Sequence, residues 1–344
     1  MRIRANRLTP ILALAVVSTG WLAIAEKGSI PFARVGEITR PDIGELWQQP
    51  DNIPSENLFY GAGGEQDQPH GPFTFEKEDL KGTNPKFDVR DADGVKWKIK
   101  LGVEARPETV ASRFVWAVGY HTDDDYFLPE VQVMGLPDHL HRGQDMIERG
   151  GIVRNVRLKR EKGEKKIANW NWRDNKFVGT RELDGLRVMM AIIDNWDLKD
   201  ENNAVREEKQ KGGEVERVFL VSDLGASFGT TGRGLTHEGS KGNLDAYKKA
   251  KFITKERPES IDFAVPSHPE LLLAFDTPEF IDRMGLRWIG RDIPRQHVRW
   301  IASLLGQLTD NQIRDAFRSA GYAGPELDGF VFAFEHRIWE LKQL

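Results

Sequence analysis

An apolar helix that runs into an acidic loop, answered by a short apolar strand that ends in a second acidic turn, constrains this chain more than any other stretch. Leu183, Leu186, Met189, Met190 and Ile193 recur at helical spacing between Arg181 and Asp194, so one stripe of that helix must be buried. The helix delivers the chain to Asp197-Leu198-Lys199-Asp200-Glu201-Asn202-Asn203. A charged hairpin from Ala204 to Glu216 follows, with Gly212-Gly213 at its tip, and the buried strand Val218 to Val221 leads to Ser222-Asp223-Leu224-Gly225. Loop, hairpin and returning strand can gather Asp197, Asn202 and Asp223 around one point.

A second fixed point lies upstream. Val95, Trp97, Ile99 and Leu101 alternate with Lys96, Lys98 and Lys100, which makes a strand with one apolar face and one lysine face. Before it, Phe73 and Phe75, then Phe87 and Val89, alternate in the same way around the turn Lys81-Gly82-Thr83-Asn84-Pro85, and Asp93-Gly94 is a hairpin signal. After Gly102, Arg106 to Tyr120 has a helical pattern, with Pro107 suited to its first turn. His121 to Asp125 is a polar loop, Tyr126 to Met134 a strand, and Gly135 with Pro137 a natural linker between a small lobe and a larger one. Ile152 to Leu158 reads as a strand of the larger lobe. Arg157 to Lys166, with six basic residues in ten, reads as a solvated hairpin tip.

These patterns predict an α+β fold of two lobes, a small antiparallel sheet with one helix and a larger, mainly helical part. Residues 72–136 form the first and 137–344 the second. Residues 26–71, rich in Pro, Gly, Asp and Gln, are a linker or wrapping arm. Residues 226–268 have weak periodicity and are expected as a mobile segment. Helices at 295–307, 309–320 and 325–341 form the base, the middle one opened by Thr309-Asp310 and closed by Gly321.

The 39% apolar residues suffice for a large core, and a net charge of -4 gives no global field for nucleic acid. The absence of cysteine excludes disulfides, thiolate zinc sites and cysteine nucleophiles. Arg2, Arg4 and Arg7 precede an apolar run from Leu8 to Ala25 that closes on Ala23-Ile24-Ala25. Residues 1–25 therefore read as a secretory signal peptide, with an uncleaved anchor facing outward as the alternative. Membrane contact is expected only through such an anchor, and the remainder is expected to be exported, periplasmic or secreted.

Asp197-Leu198-Lys199-Asp200-Glu201-Asn202 resembles the catalytic loop of protein kinases. The segment from Lys100 to Glu108, with an acid eight residues after the lysine, resembles the lysine-to-helix segment of phosphatidylinositol-type lipid kinases. Together with the leader, the whole is most similar to the atypical kinase-like group around HipA and the spore-coat CotH kinases. That resemblance implies a metal-dependent transfer of the γ-phosphoryl group of ATP, or another nucleotide, to the hydroxyl of a protein or small molecule. It implies that Lys100 contacts the nucleotide phosphates, with Lys98 as the other candidate, and that Glu108, or else Glu104, pairs with the lysine. Gly82 would lie in the turn over the phosphates. Asp197 would act on the acceptor hydroxyl, Lys199 would neutralise the transferred phosphate, and Asn202, or Asn203 in a shifted register, would hold Mg²⁺ with Asp223. Asn195-Trp196 stands where protein kinases have His-Arg, so coupling to an activation-loop phosphate is not expected. Leu224 replaces the Phe of the metal-binding turn, and no G-x-G-x-x-G precedes the lysine strand.

Three other readings fit parts of the sequence. One is a kinase-like protein that binds nucleotide without transferring phosphate. Another is a metal-dependent hydrolase using His121, Asp123, Asp124, Asp125, His139 and His141. The third is a secreted binding module in which Trp170, Trp172 and Trp196 grip carbohydrate.

Overall fold

Alternation along the lysine strand decides how the first sheet is built. In the computed structural model, which describes residues 45–82, 84–209, 215–229, 240–265 and 285–344, β1 (Phe73–Glu78), β2 (Lys86–Arg90) and β3 (Lys96–Lys100) form an antiparallel meander. The leader at residues 1–25 and the hairpin tip at 212–213 lie outside the described residues. The turn between β2 and β3 is organised by Asp91, whose carboxylate accepts from the amides of Asp93 (3.0 Å) and Val95 (2.8 Å) and from Trp97 Nε1 (2.7 Å). Gly94 follows at a φ of 80°, a conformation that costs a residue without a Cβ little.

After β3, Gly102 at a φ of 89° turns the chain into α1 (Ala105–Ala117). β4 (Asp125–Met134) then pairs in parallel with β1 and antiparallel with β6 (Ile152–Arg160), and β6 also pairs with β3, Lys100 lying opposite Arg157. Five strands thus close on themselves in the order β1-β2-β3-β6-β4, with the two-residue β5 (Ile147–Glu148) on the flank of β6. Phe73, Phe87, Val89, Trp97, Ile99, Val131, Val156 and Leu158 fill the interior, and closure leaves few unpaired strand edges. The division expected at 136/137 cuts through this sheet, which is mixed rather than antiparallel. Residues 137–151, which include β5, return the chain so that β6 can lie beside β4.

β7 (Lys165–Ala168), β8 (Asn203–Lys209) and β9 (Val215–Val221) make a second, antiparallel sheet, with Asn203 opposite Val221. Between β7 and β8 lies α2 (Arg181–Ile192), capped by the Thr180 side chain, which accepts from the Leu183 amide at 3.2 Å. Residues 240–265, expected as part of a mobile segment, contain α3 (Leu244–Lys249), β10 (Ile253–Glu256) and β11 (Ser260–Phe263); β12 (Ile293–Pro294) completes a third sheet. α4 (Arg295–Leu305), α5 (Asp310–Arg318) and α6 (Gly324–Lys342) follow. Thr309 forms a full capping box with Gln312 at the start of α5.

The main core lies among these helices. Phe114 of α1 stacks on Phe334 of α6 with ring centroids 3.9 Å apart and meets Phe317 and Phe228 edge-on. Burying each such ring stabilises the fold by roughly 2–3 kcal/mol. Residues 45–71, expected as a linker or wrapping arm, contribute Leu46, Trp47, Ile53 and Leu58 to the same core. The arm is bonded to several elements at once. Trp47 Nε1 donates to Val118 O at 2.6 Å, Gln312 Nε2 donates to Ile53 O and Glu56 O, and Tyr126 donates its hydroxyl to Gly64 O. Trp170, Trp172 and Trp196 are buried, so they cannot grip carbohydrate at a surface, and that basis for a binding module falls. Among the described residues the fold is therefore mixed α and β, with three sheets and six helices.

Candidate active site

The end of β3, the first turn of α1 and the chain leaving β9 converge on one ammonium group. Lys100 Nζ lies 2.8 Å from Glu108 Oε2, 2.9 Å from Glu104 Oε2 and 3.3 Å from Asp223 Oδ1. The strand aims Lys100 away from the ring interior, and Gly102 reverses the chain so that Glu104 and Glu108 face it from the start of the helix. Carboxylates at a helix start also meet its positive dipole end. Asp223 arrives from β9, and its Oδ1 accepts from the Gly225 amide at 3.2 Å. A Cβ at Gly225 would stand 2.7 Å from Glu104 Oε2, so close approach requires glycine there.

Burial alone would pull the Lys100 ammonium down, but Glu108, then Asp223 and Glu104, hold it above the ordinary lysine range. Burial would push Glu104 up, yet Lys100 and Lys241 bring it down to about 2. Glu104 accepts from Asn84 Nδ2 at 2.6 Å and pairs with Lys241. Glu108 turns its other oxygen to Arg157, which also donates to Asp125 Oδ1 at 2.9 Å. Lys241 and Arg157 are parts of the cluster that the sequence reading did not assign. Arg157 could have been found from strand alternation, since it shares its face with Lys159. Lys241 lies in a weakly patterned segment that offers no such signal.

The acidic loop lies alongside. Asn202 Nδ2 donates to Asp197 O at 2.7 Å, and both the amide and the hydroxyl of Ser222 donate to Asn202 O, at 2.7 and 3.0 Å. These bonds string Asp197, Asn202 and Asp223 into one connected path. Asn203 is fully buried in β8, where its Nδ2 donates to Trp170 O at 3.0 Å, so the shifted register points away from the cluster. Lys98 pairs with Asp79 and Asp88 at 2.8 and 2.7 Å rather than with Glu108.

A cavity of about 500 Å³ opens in front of Lys100. Lys98, Lys100, Gly82, Glu108, Asn202 and Asp223 line it, whereas Asp197 and Lys199 do not. The solvated hairpin tip expected at 157–166 is corrected for its first part, because Arg157 is buried and Lys159 and Arg160 half-buried in β6, all three lining this cavity, while the turn at 161–163 with Lys165 and Lys166 is exposed as expected. β6 is held between β3 and β4, so its alternate side chains turn toward Lys98 and Lys100 instead of solvent.

Glu104, Glu108 and Asp223 each offer one oxygen within 4.8 Å of the others, and the Lys100 ammonium already sits among the three carboxylates. This trio shares Asp223 with the metal pair expected from sequence. The expected hydrolase cluster is corrected. Asp123 pairs with Arg206, Asp124 with Lys162 and Asp125 with Arg157, while His141 pairs with Glu78. Three cationic partners occupy the aspartates that a metal would need, and a carboxylate holds His141.

No family model matches the chain, and no curated protein is similar to it. Among solved structures, the Helicobacter pylori proinflammatory kinase CtkA is similar over 78% of this chain and 97% of that chain, with 11% identity and a TM-score of 0.34.

Proposed function

We propose that the protein is a kinase-like phosphotransferase that holds the phosphate chain of a donor such as Mg·ATP against Lys100. One observation carries this reading: a buried lysine ion-paired with both a helix carboxylate, Glu108, and the turn carboxylate Asp223, at the wall of an open cavity. Phosphoryl transfer needs positioned positive charge on the donor and little covalent chemistry from the protein. Glu108 and Arg157 keep the Lys100 ammonium aimed, and Asp223 and Asn202 are the residues that would hold Mg²⁺, which supplies charge neutralisation between phosphates when bound. Asp197 orients the acceptor hydroxyl and takes its proton on a carboxylate oxygen, and Lys199 balances the transferred group. On this reading the strand ring with α1 and the helical remainder are the two lobes of a kinase-like fold.

A thermal-shift titration with Mg·ATP tests the reading. Ligand at a hundred times its Kd stabilises by about 2.7 kcal/mol, and that shift should vanish in Asp223→Ala. A shift that survives unchanged in Asp223→Ala removes the metal assignment. Asp197 and Lys199 lie outside the cavity lining, which favours a second reading, binding without transfer. Label from γ-labelled ATP that appears on an acceptor and disappears in Asp197→Asn decides for transfer.

A further inference from the structure

Among the described residues, the cavity in front of Lys100 offers no surface on which a nucleobase could lie. Of its nineteen described lining residues sixteen are charged, and the other three are Gly82, Asn202 and Ser222. A base presents two broad, weakly polar faces, and sites that read one supply aromatic or aliphatic side chains to cover them. None is among the described residues that line this cavity. What the lining does supply is cationic: ten lysines and arginines against six carboxylates, on a protein whose net charge is -4.

The strand register concentrates this charge. Lys86 lies opposite Lys100 and Lys100 opposite Arg157, while Lys98 lies opposite Lys159. Like charges directly across a sheet repel, so each rung needs anions to hold it. Carboxylates serve Lys98, Lys100 and Arg157. Half-buried Lys86 and, at the rim, Lys166 have no carboxylate partner within 4.0 Å among the described residues. Burial, with neighbouring cations adding to it, holds the Lys86 ammonium below the ordinary lysine range against the pull of Asp79, and the same causes lower Lys166 at the exposed rim, so an incoming anion would meet cations without a close counter-ion.

We propose that this cavity takes a base-free polyanion, a chain or cluster of phosphates, and that a nucleotide entering it is held through its phosphates alone. The proposal rests on the phosphate-handling reading above and narrows its donor. Ammonium and guanidinium groups bind phosphate oxygens through charge-assisted hydrogen bonds, and Lys86, Lys100 and Lys166 all line the cavity. Because no side chain reads the base, nucleotides of different base should bind alike.

Calorimetric titration of the purified protein, in 150 mM salt with MgCl₂, tests this with sodium tripolyphosphate, ATP, CTP, adenosine and myo-inositol hexakisphosphate as probes. Tripolyphosphate and CTP are expected to bind within about threefold of ATP, and adenosine not at all, because the phosphates carry the affinity. The tighter of tripolyphosphate and the hexakisphosphate tells a linear from a clustered ligand. Lys86→Gln with Lys166→Gln should weaken every phosphate probe at least about tenfold, the loss of two charge-assisted contacts, with an unchanged melting temperature; Lys86→Arg with Lys166→Arg should restore affinity. ATP binding tenfold or more tighter than both CTP and tripolyphosphate overturns the inference and leaves the kinase-like reading standing. Undiminished binding in the double Gln variant also overturns it, since the phosphates then lie elsewhere. Failure of every phosphate probe to bind overturns both.

Discussion

Replacing Lys100 with methionine tests the carboxylate cluster at its centre. The side chain is 7% exposed and its ammonium has three carboxylate partners between 2.8 and 3.3 Å. With an effective dielectric constant of about 20, each contact is worth roughly 5–6 kcal/mol of gross attraction. The cost of taking the ions out of water consumes most of that gain. The Asp223 contact contributes least, because its side chain is 39% exposed and solvent screens it. Removing the cation strands Glu104 and Glu108 beside Asp223, with only Lys241 and Arg157 left to balance them. Breaking a buried pair from one side costs about 3–5 kcal/mol, and that is the expected loss at pH 8. In the variant the crowded carboxyls are easier to protonate folded than unfolded. Its stability should therefore fall as pH rises above the unfolded carboxyl range near 4, so the deficit against wild type should shrink at pH 5. Urea unfolding followed by tryptophan fluorescence at both pH values measures this. Adding Glu108→Gln removes one stranded charge, and the double variant should lose about 2 kcal/mol less than the two single losses together. A Lys100→Met cost below about 1 kcal/mol at pH 8, with no change at pH 5, would falsify the view that Lys100 balances buried anions.

Burial holds the Asp194 carboxyl near 7 against the pull of Arg337, so the folded state binds its proton more tightly than the unfolded chain and stability falls between about pH 4 and 7. Asp194→Asn keeps a residue type that tolerates the observed φ of 56° and should gain about 2–4 kcal/mol at pH 8. Denaturation across pH 5 to 8 checks this, and an unchanged slope contradicts it. Thr309→Ala deletes the capping box of α5 and should cost about 1 kcal/mol, read as a lower urea midpoint with the same slope.

Local patterning made much of the architecture legible. The lysine strand, α1, α2 and its entry into the acidic loop, the hairpin that returns to Asp223, and the last three helices all follow from alternation, helical spacing and caps within a single element. What escaped was long-range pairing. Nothing in Ile152 to Arg160 states that it will lie between β3 and β4, so its basic residues look solvated until the register places Arg157 opposite Lys100. The choice between Glu104 and Glu108 was likewise illegible, because both reach the same ammonium. Lys241 reaches Glu104 across 137 positions of sequence, and loop residues carry no periodicity from which such a contact could be read. Tryptophans spaced like a sugar platform proved to be core, since their large apolar area favours the interior; Trp170 also finds Leu220 O for its indole N–H.

The arm at residues 45–71 bears on how a ligand gets in. It touches the end of α1 through Trp47, the start of α5 through Ile53 and Glu56, and β4 through Gly64. A hinge between the strand ring and the helices would have to tear these bonds and draw Trp47 off Trp300, whose rings stand 5.1 Å apart. The segment works as a strap that closes that route. A ligand needs no such parting, because the cavity already opens in front of Lys100.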